Sequence, residues 1–233
     1  MNNVEKLDSE IVKKISEKFI LEKCEIGDLK EFTYPKVLPI MKYKADKYKV
    51  DKLGNMTILK CKMFNLMSLV TVVLTPDLSR NIPFVIIDIV CVRNKYISFF
   101  EFFDIHTNND EAIEKFKEDT LKIKKKYKDL DEHIEKPNWY VPIRAKYSLL
   151  KHGNKDKEYE ISNMIMECLD NYLLFVSKAK EPEDIVSSRE RLTMFIDDLI
   201  NKGNPSSKPI SKALGNEKAK KFFEDVVFYM EPF

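Results

Sequence analysis

The first part of the chain changes from a helical to an alternating pattern of apolar residues. SEIVKKISEKFILE places Ile11, Ile15 and Phe19 at helical spacing, which predicts an amphipathic helix over 9–22 that is capped by Ser9. From 31 to 64 the residues alternate loosely. In the clearest piece, KCKM, every second residue is a lysine, which is typical of a half-exposed antiparallel strand.

The middle of the chain is continuously apolar. The runs SLVTVVL (68–74), PFVIIDIVCV (83–92) and YISFFEFFDI (96–105) are rich in β-branched and aromatic residues. They predict central strands of a sheet with both faces covered. The connections TPDLSRN and RNK are short enough for hairpins, so the pattern favours an antiparallel meander over βαβ units.

The second half of the chain is mostly helical. A charged helix after Thr107 carries a narrow apolar stripe of Ile113, Phe116 and Leu121, and the segment 129–157 is predicted as an irregular connection across one edge of the sheet. Three further helices are predicted: 158–178, 182–201 beginning at Pro182 and carrying Ile185, and one after the loop GNPSSKP and Gly215. With no internal repeat, the pattern predicts one α/β domain over 1–233, an α/β/α sandwich with a central antiparallel sheet.

Composition and charge narrow the classes of partner. The 233 residues are 44% hydrophobic, enough for one core, and 40 basic against 38 acidic side chains give a net charge of +2. This balance favours neither nucleic acid nor a membrane surface as a partner. The sequence has no apolar run long enough to cross a bilayer and no secretory pattern at its start, so we expect a soluble cytoplasmic protein.

Few residues are available for bound cofactors. The five glycines match neither GxGxxG nor GxxxxGK[ST], which argues against a nucleotide-binding loop. The three histidines lack ligand spacing, and no metal site is expected. The four cysteines lie far apart in sequence, which indicates free thiols in a reducing compartment.

Asp88 is the residue that asks for a chemical explanation, because it interrupts an apolar run of ten residues. On a strand it shares a face with Phe84, Ile86 and Val90, so its carboxyl points into whatever packs there. A buried carboxyl raises its pKa and tends to keep its proton, and such an acid can protonate a bound substrate. The alternative is a structural aspartate bonded to backbone N–H groups or to a lysine. Glu101 is a second acid in an apolar strand. A bulge or an exposed edge of the sheet would place its side chain in water.

Four motifs together resemble the ferredoxin-dependent bilin reductases. TPDLSRNIPFVIIDIV (75–90) is similar to the family segment in which a Pro-acid turn leads to a strand ending Asp-Ile-Val, and Asp88 takes the place of the catalytic proton donor. The strand ISFFEFFDI, the step Pro137-Asn138-Trp139 and the tail KALGNEKAKKFFEDVVFYM follow in the family's order. These matches cover roughly 55–105 and 158–230.

The resemblance implies a reaction and its partners. The bilin, biliverdin or a dihydrobiliverdin, would lie between the sheet and the C-terminal helices. Reduced ferredoxin or flavodoxin would supply electrons one at a time, the protein would supply protons to radical intermediates, and no flavin, nicotinamide or metal would be bound. Because ferredoxins are acidic, a basic patch is expected, either at Lys122–Lys128 or at Lys212, Lys218, Lys220 and Lys221.

Departures from the family pattern suggest a simpler reaction. Thr71 stands where some members have a catalytic histidine, and Asn204 stands where others have a second aspartate. Both could hydrogen-bond the pigment but not readily protonate it, so Asp88 is expected to be the sole acidic donor and the reaction a two-electron reduction. Candidate cations for the propionates are four lysines: Lys60, Lys62, Lys202 and Lys208.

Other functions remain open at this point. A non-enzymatic tetrapyrrole-binding protein could have kept the pocket and lost the chemistry. A structural or interaction domain would bury Asp88 in a solid core with no cleft. An enzyme that reduces an open-chain chlorophyll catabolite would share the sandwich.

Overall fold

The strands of the middle region form one antiparallel sheet. The computed structural model describes residues 4–35, 38–64, 66–105 and 109–230. Within these residues the sheet has nine strands, in the spatial order β1-β3-β4-β5-β6-β7-β9-β8, with β2 also paired to β3. The strands are Leu21–Cys24 (β1), Glu31–Tyr34 (β2), Met41–Val50 (β3), Gly54–Met63 (β4), Met67–Thr75 (β5), Phe84–Val92 (β6), Lys95–Phe103 (β7), Asp131–Glu132 (β8) and Leu149–Asn154 (β9).

The predicted meander is confirmed in the centre of this sheet. β3 to β7 pair successively and antiparallel, as the short connections require. In this register Asp88 lies opposite Thr71 on β5 and opposite Phe99 on β7. The position of Asp88 is therefore fixed from both sides by backbone hydrogen bonds.

The helices cover both faces of the sheet. They are Val4–Ser16 (α1), Glu111–Lys126 (α2), Glu158–Lys178 (α3), Ile185–Asn201 (α4), Ser207–Leu214 (α5) and Asn216–Phe222 (α6), followed by a wide turn over Phe223–Val227. The prediction of a helix over 158–178 is confirmed. α4 begins three residues later than predicted, because the carboxylate of Asp184 accepts a hydrogen bond from Ser187 N at 2.9 Å and caps it.

Two apolar cores lie on opposite sides of the sheet. On one face, α1, α2 and α3 pack against side chains such as Val72, Ile87 and Phe100. On the other face, α4, α5 and α6 pack against side chains such as Val73 and Phe84. Helix layers on both faces of an antiparallel sheet confirm the predicted α/β/α sandwich, while the single domain over 1–233 stays a prediction.

Several predictions of local structure were wrong. The predicted helix 9–22 ends at Ser16, and its last residues belong to β1; Ser9 lies inside α1 rather than at its cap. Leu121 is 49% exposed in α2, and Ile185 is exposed in α4. The connection 129–157 is not irregular throughout, because it contains β8 and β9.

Among the described residues, none of the helices combines the length and apolar character that spanning a membrane requires. All four cysteines are free thiols, and three of them are buried.

Gly54 begins β4 after the turn from β3, and it lies close to the backbone at the end of β5. Its φ is +112°, and a Cβ built there would lie 2.2 Å from the carbonyl oxygen of Thr75. We expect Gly54→Ala to lower the free energy of unfolding by about 3 kcal/mol or more, through backbone strain and the clash.

The matched control is Gly27→Ala. Gly27 also has a positive φ of +53°, but nothing lies within 4 Å of the position that a Cβ would take there. It should lose only about 1 kcal/mol. Urea denaturation of both variants checks the difference, and equal losses would show that the contact at Thr75 is unimportant.

Candidate functional site

A cavity of about 380 Å³ lies between the second sheet face and the loop that joins α4 to α5. Its volume is in the usual range for small-molecule sites. The sheet side is mostly apolar and includes Leu59, Leu69, Ile86, Val90, Phe99 and Phe103. The opposite side is formed by Leu199, Asn204, Pro205, Ser206 and Pro209. The cavity is mostly apolar and carries a few polar groups, which suits a flat apolar ligand.

Asp88 lies on the apolar wall of this cavity, half-buried at the middle of β6. The hydroxyl of Thr71, directly across on β5, donates a hydrogen bond to its Oδ1. Burial raises the pKa of Asp88 to about 6; the Thr71 hydrogen bond opposes this shift, and the charge of Glu135 adds to it. The predicted rise is therefore present.

A pKa of about 6 leaves most Asp88 side chains ionised in the open cavity at pH 7, with roughly one in ten protonated. The expectation that burial alone keeps the acid neutral was too strong. A ligand that covers the carboxyl removes its remaining water and raises its pKa further, because desolvation is already the largest cause of the shift. The acid is thus poised to take up its proton as the pocket fills.

Two further acids line the same cavity. Glu101 is 5% exposed on β7, and its Oε1 lies 2.6 Å from Nε of Arg144. The same guanidinium also pairs with Glu135 through Nη2. Asp88 is therefore not the only acid that lines the cavity, since one arginine here pairs with two glutamates beside it. That Asp88 is the sole acidic donor stays a prediction.

Glu101 resists ionisation in spite of its arginine. Burial raises the pKa of Glu101 to about 8; Arg144 opposes the rise, and the charges of Asp88 and Glu135 reinforce it. The sequence contained one signal for this residue, an acid between Phe99 and Phe103 in an apolar strand. No signal identified Glu135 or Arg144, because both lie in the segment predicted as an irregular connection.

The Pro137-Asn138-Trp139 step holds the far wall of the cavity in place. The indole Nε1–H of Trp139 donates to the carbonyl oxygen of Gly203 at 2.8 Å. Its neighbour Tyr140 is buried in the cavity wall. Burial, assisted by the charges of Glu135 and Glu101, raises the pKa of Tyr140 to about 12, so its hydroxyl remains a hydrogen-bond donor.

Asn204 lines the cavity, but most of its side chain is already used, and its hydrogen bond to a pigment stays a prediction. Its Oδ1 accepts from Ser206 N at 2.9 Å, and its Nδ2 donates to the carbonyl oxygen of Leu199 at 3.1 Å. One amide hydrogen therefore remains for a ligand. Thr71, in contrast, is buried behind Asp88 and acts on it rather than on the cavity.

The structure does not bring the four candidate lysines together. Lys60 and Lys62 alternate with Leu59 and Cys61 on β4 and lie on the sheet face away from the cavity, where Lys60 pairs with Asp8 at 2.6 Å. Lys202 lies at the end of α4 next to Gly203. Lys208 is exposed on α5 beside Pro209, which lines the cavity. Only Lys202 and Lys208 border the side of the sheet that carries Asp88.

In the part of the chain that the structure describes, no three histidine, cysteine, aspartate or glutamate side chains are grouped so as to hold a metal ion.

Comparisons with solved structures identify the fold. The crystal structure of phytochromobilin synthase from tomato in complex with biliverdin superposes with a TM-score of 0.80 at 11% identity, over 96% of this chain and 82% of that one. The structure of PcyX superposes with a TM-score of 0.61 at 12% identity, over 98% and 99% of the two chains. No protein-family model and no curated protein matches the sequence. The predicted resemblance is thus confirmed at the level of the fold.

Thr71 controls the acidity of Asp88. Its hydroxyl stabilises the carboxylate form, so we expect Thr71→Val to raise the pKa of Asp88 by about one unit, as removal of a hydrogen bond to a charged group does. Thr71→Ser keeps the hydroxyl and is the matched control. Carbon-13 NMR titration of labelled aspartates measures both, with Asp88→Asn for assignment. Equal pKa values in the two variants would contradict the role of the hydroxyl.

Glu101 makes stability depend on pH. Its pKa is about 8 in the folded chain against 4.5 in the unfolded chain, so only the unfolded chain releases this proton between those values. The free energy of unfolding therefore falls as the pH rises from about 4.5 to 8. We expect Glu101→Gln to remove a decrease on the order of 5 kcal/mol over this range. Denaturant titrations at several pH values measure it, with the exposed Glu10→Gln as the control for a lost surface charge.

Proposed function

We propose that the protein is a ferredoxin-dependent bilin reductase that acts in the cytoplasm on biliverdin or a dihydrobiliverdin. The observation that carries this proposal is a carboxyl of raised pKa in the wall of an apolar cavity, on the fold of a protein that binds biliverdin. The four sequence motifs support it independently of the fold. The pigment would lie against the sheet with Asp88 below it.

Asp88 is the proton donor in this proposal. As the pigment covers the carboxyl, the acid takes up a proton, and a neutral acid in a dry pocket transfers it readily to a pigment that has gained an electron. Thr71 then stabilises the carboxylate that is left behind. The reaction is a two-electron reduction of one double bond, with the pigment as substrate and no resident cofactor.

The propionates of the pigment extend toward Lys202 and Lys208. Both lysines are exposed and lie near lining residues in the sequence, Lys208 beside Pro209 and Lys202 two residues before Asn204, so a carboxylate there could stay partly in water. Lys202 also forms an ion pair of 2.7 Å with Asp198 on the preceding turn, so a propionate would share it. Lys60 and Lys62, on the other sheet face, play no part in this arrangement.

The electron donor docks near the closing helix. α5 and α6 pack on the cavity side of the sheet and carry Lys212, Lys218, Lys220 and Lys221. The other basic run lies on α2, on the opposite face, where Lys122 and Lys126 pair with Asp119 and Glu167. An acidic ferredoxin bound at α6 would be nearer the pigment, and its association should weaken with salt.

Addition of biliverdin tests the proposal directly. We expect a coloured complex, followed under anaerobic conditions by a spectral change when reduced ferredoxin is supplied. Chromatography of the product against bilin standards identifies the reduced bond. An unchanged biliverdin spectrum would contradict the proposal. Binding without reduction would favour a carrier, and a four-electron product would contradict the two-electron step.

Asp88→Asn tests the donor. An amide has the shape of the acid but no acidic proton, so we expect biliverdin binding to persist and turnover to fall about 100-fold or more. Lys60→Ala, on the other sheet face, is the control and should keep its activity. Full activity of Asp88→Asn would show that the proton comes from elsewhere.

A further inference from the structure

A two-electron reduction of a carbon–carbon double bond consumes two protons, and Asp88 carries one. Resting on the function proposed above, we propose that Glu101 is the second proton donor of the site and that Arg144 and Glu135 control its release. Nothing in the sequence pattern of the chain required a second donor. The inference comes from the position of Glu101 and from the charges around it.

The geometry places Glu101 beside Asp88 on one wall. Glu101 lies opposite Ile86 on the neighbouring strand, so it is a diagonal neighbour of Asp88 on the same sheet face. Such neighbours have Cα atoms roughly 7–8 Å apart. Both side chains line the cavity. A flat pigment that covers one carboxyl therefore extends over the other.

The charges around Glu101 favour its protonated form. The groups that face it are Asp88 from β6 and Glu135, Tyr140 and Arg144 from the segment before β9. The residues that line the cavity from the α4–α5 loop carry no charge. Glu101 and Glu135 share one guanidinium, and with Asp88 included the fully ionised group would carry two uncompensated negative charges in an apolar wall. The group is neutral when two of the acids are protonated.

These two protons equal the number that the two-electron reduction consumes. Glu135 is the more exposed partner of Arg144, with 18% of its side chain in solvent against 7% for Glu101, so Glu135 keeps the arginine as a carboxylate. Asp88 and Glu101 then hold the protons once the pigment has displaced water. Their release turns the neutral group into one with two net negative charges, which favours reprotonation after the product leaves.

The steps balance in electrons and atoms. Ferredoxin donates one electron to the pigment, and the O–H bond of Asp88 breaks as its proton passes to the pigment, which becomes a neutral radical. A second electron follows, the O–H bond of Glu101 breaks, and its proton forms the second new bond to hydrogen. The double bond has then gained two electrons and two protons. Arg144 stabilises the carboxylate of Glu101 at 2.6 Å, and water restores both protons.

Single-turnover reduction of Glu101→Gln tests the assignment. We expect the variant to bind biliverdin as wild type does and to form the one-electron radical, seen by EPR, at the wild-type rate. Formation of the final product should then slow about 100-fold or more, so that the radical accumulates. Asp88→Asn should instead stop before the neutral radical forms. Product formation at the wild-type rate in Glu101→Gln overturns the assignment.

Glu135→Gln gives an independent readout. Without Glu135, the guanidinium acts on Glu101 alone and favours its ionised form, so the alkaline fall in the rate of product formation should move to lower pH. The pH profile is read on the decay of the neutral radical, the step assigned to Glu101, because Glu135 also raises the pKa of Asp88, which acts in the earlier step. A purely structural role for Glu101 would leave the pH profile of this decay unmoved. An unshifted profile overturns the proposal, even where Glu101→Gln fails to fold.

The outcomes separate the two proposals. Wild-type protein that neither binds nor reduces biliverdin overturns the bilin reductase function and the role of Glu101 together. Wild-type reduction with an unaffected Glu101→Gln variant overturns only the role of Glu101.

Discussion

The cost of placing carboxyl groups in an apolar sheet face is the constraint on which the site depends. A carboxylate loses its water there, and among the described residues of the cavity wall Glu101 and Glu135 share one cation, Arg144, while Asp88 is bonded by the hydroxyl of Thr71. In the structure a cavity, rather than packed side chains, lies in front of Asp88. A pocket that combines acids of raised pKa with open space is able to hold protons beside a bound ligand.

The rest of the fold holds this arrangement rigid. β5, β6 and β7 are bonded to partners on both sides, and their other face packs against α1, α2 and α3. The wall that carries Asp88 and Glu101 is therefore fixed by the sheet ladder. The opposite wall consists of the loop between α4 and α5, which Trp139 joins at Gly203. Hydrogen bonds from Trp139 and through the side chain of Asn204 hold this wall in place as well.

The charges are divided between the two sides of the sheet. The face with the cavity holds a compact acidic group, whereas Lys60 and Lys62 lie on the other face and Lys42 lies opposite Lys62 on β3. A lysine on the cavity face of β4 would have paired with the acids and lowered their pKa values. Keeping these cations away leaves the pKa values of Asp88 and Glu101 raised.

The amino-acid sequence by itself determined the layers and the acid. Apolar runs of the central strands, the helical spacing of 158–178 and a carboxyl inside FVIIDIV required no knowledge of distant contacts, because local periodicity and the cost of burying charge are properties of short segments. β9 was not recognised, since its residues LLKHGN lack the pattern of a strand and are held in place by β7. The group formed by Glu101, Glu135 and Arg144 joins residues from β7 and from the segment before β9. Only the tertiary structure determined this group. Whether a buried acid lies beside a cation, water or a cavity depends on distant segments that come together when the chain folds.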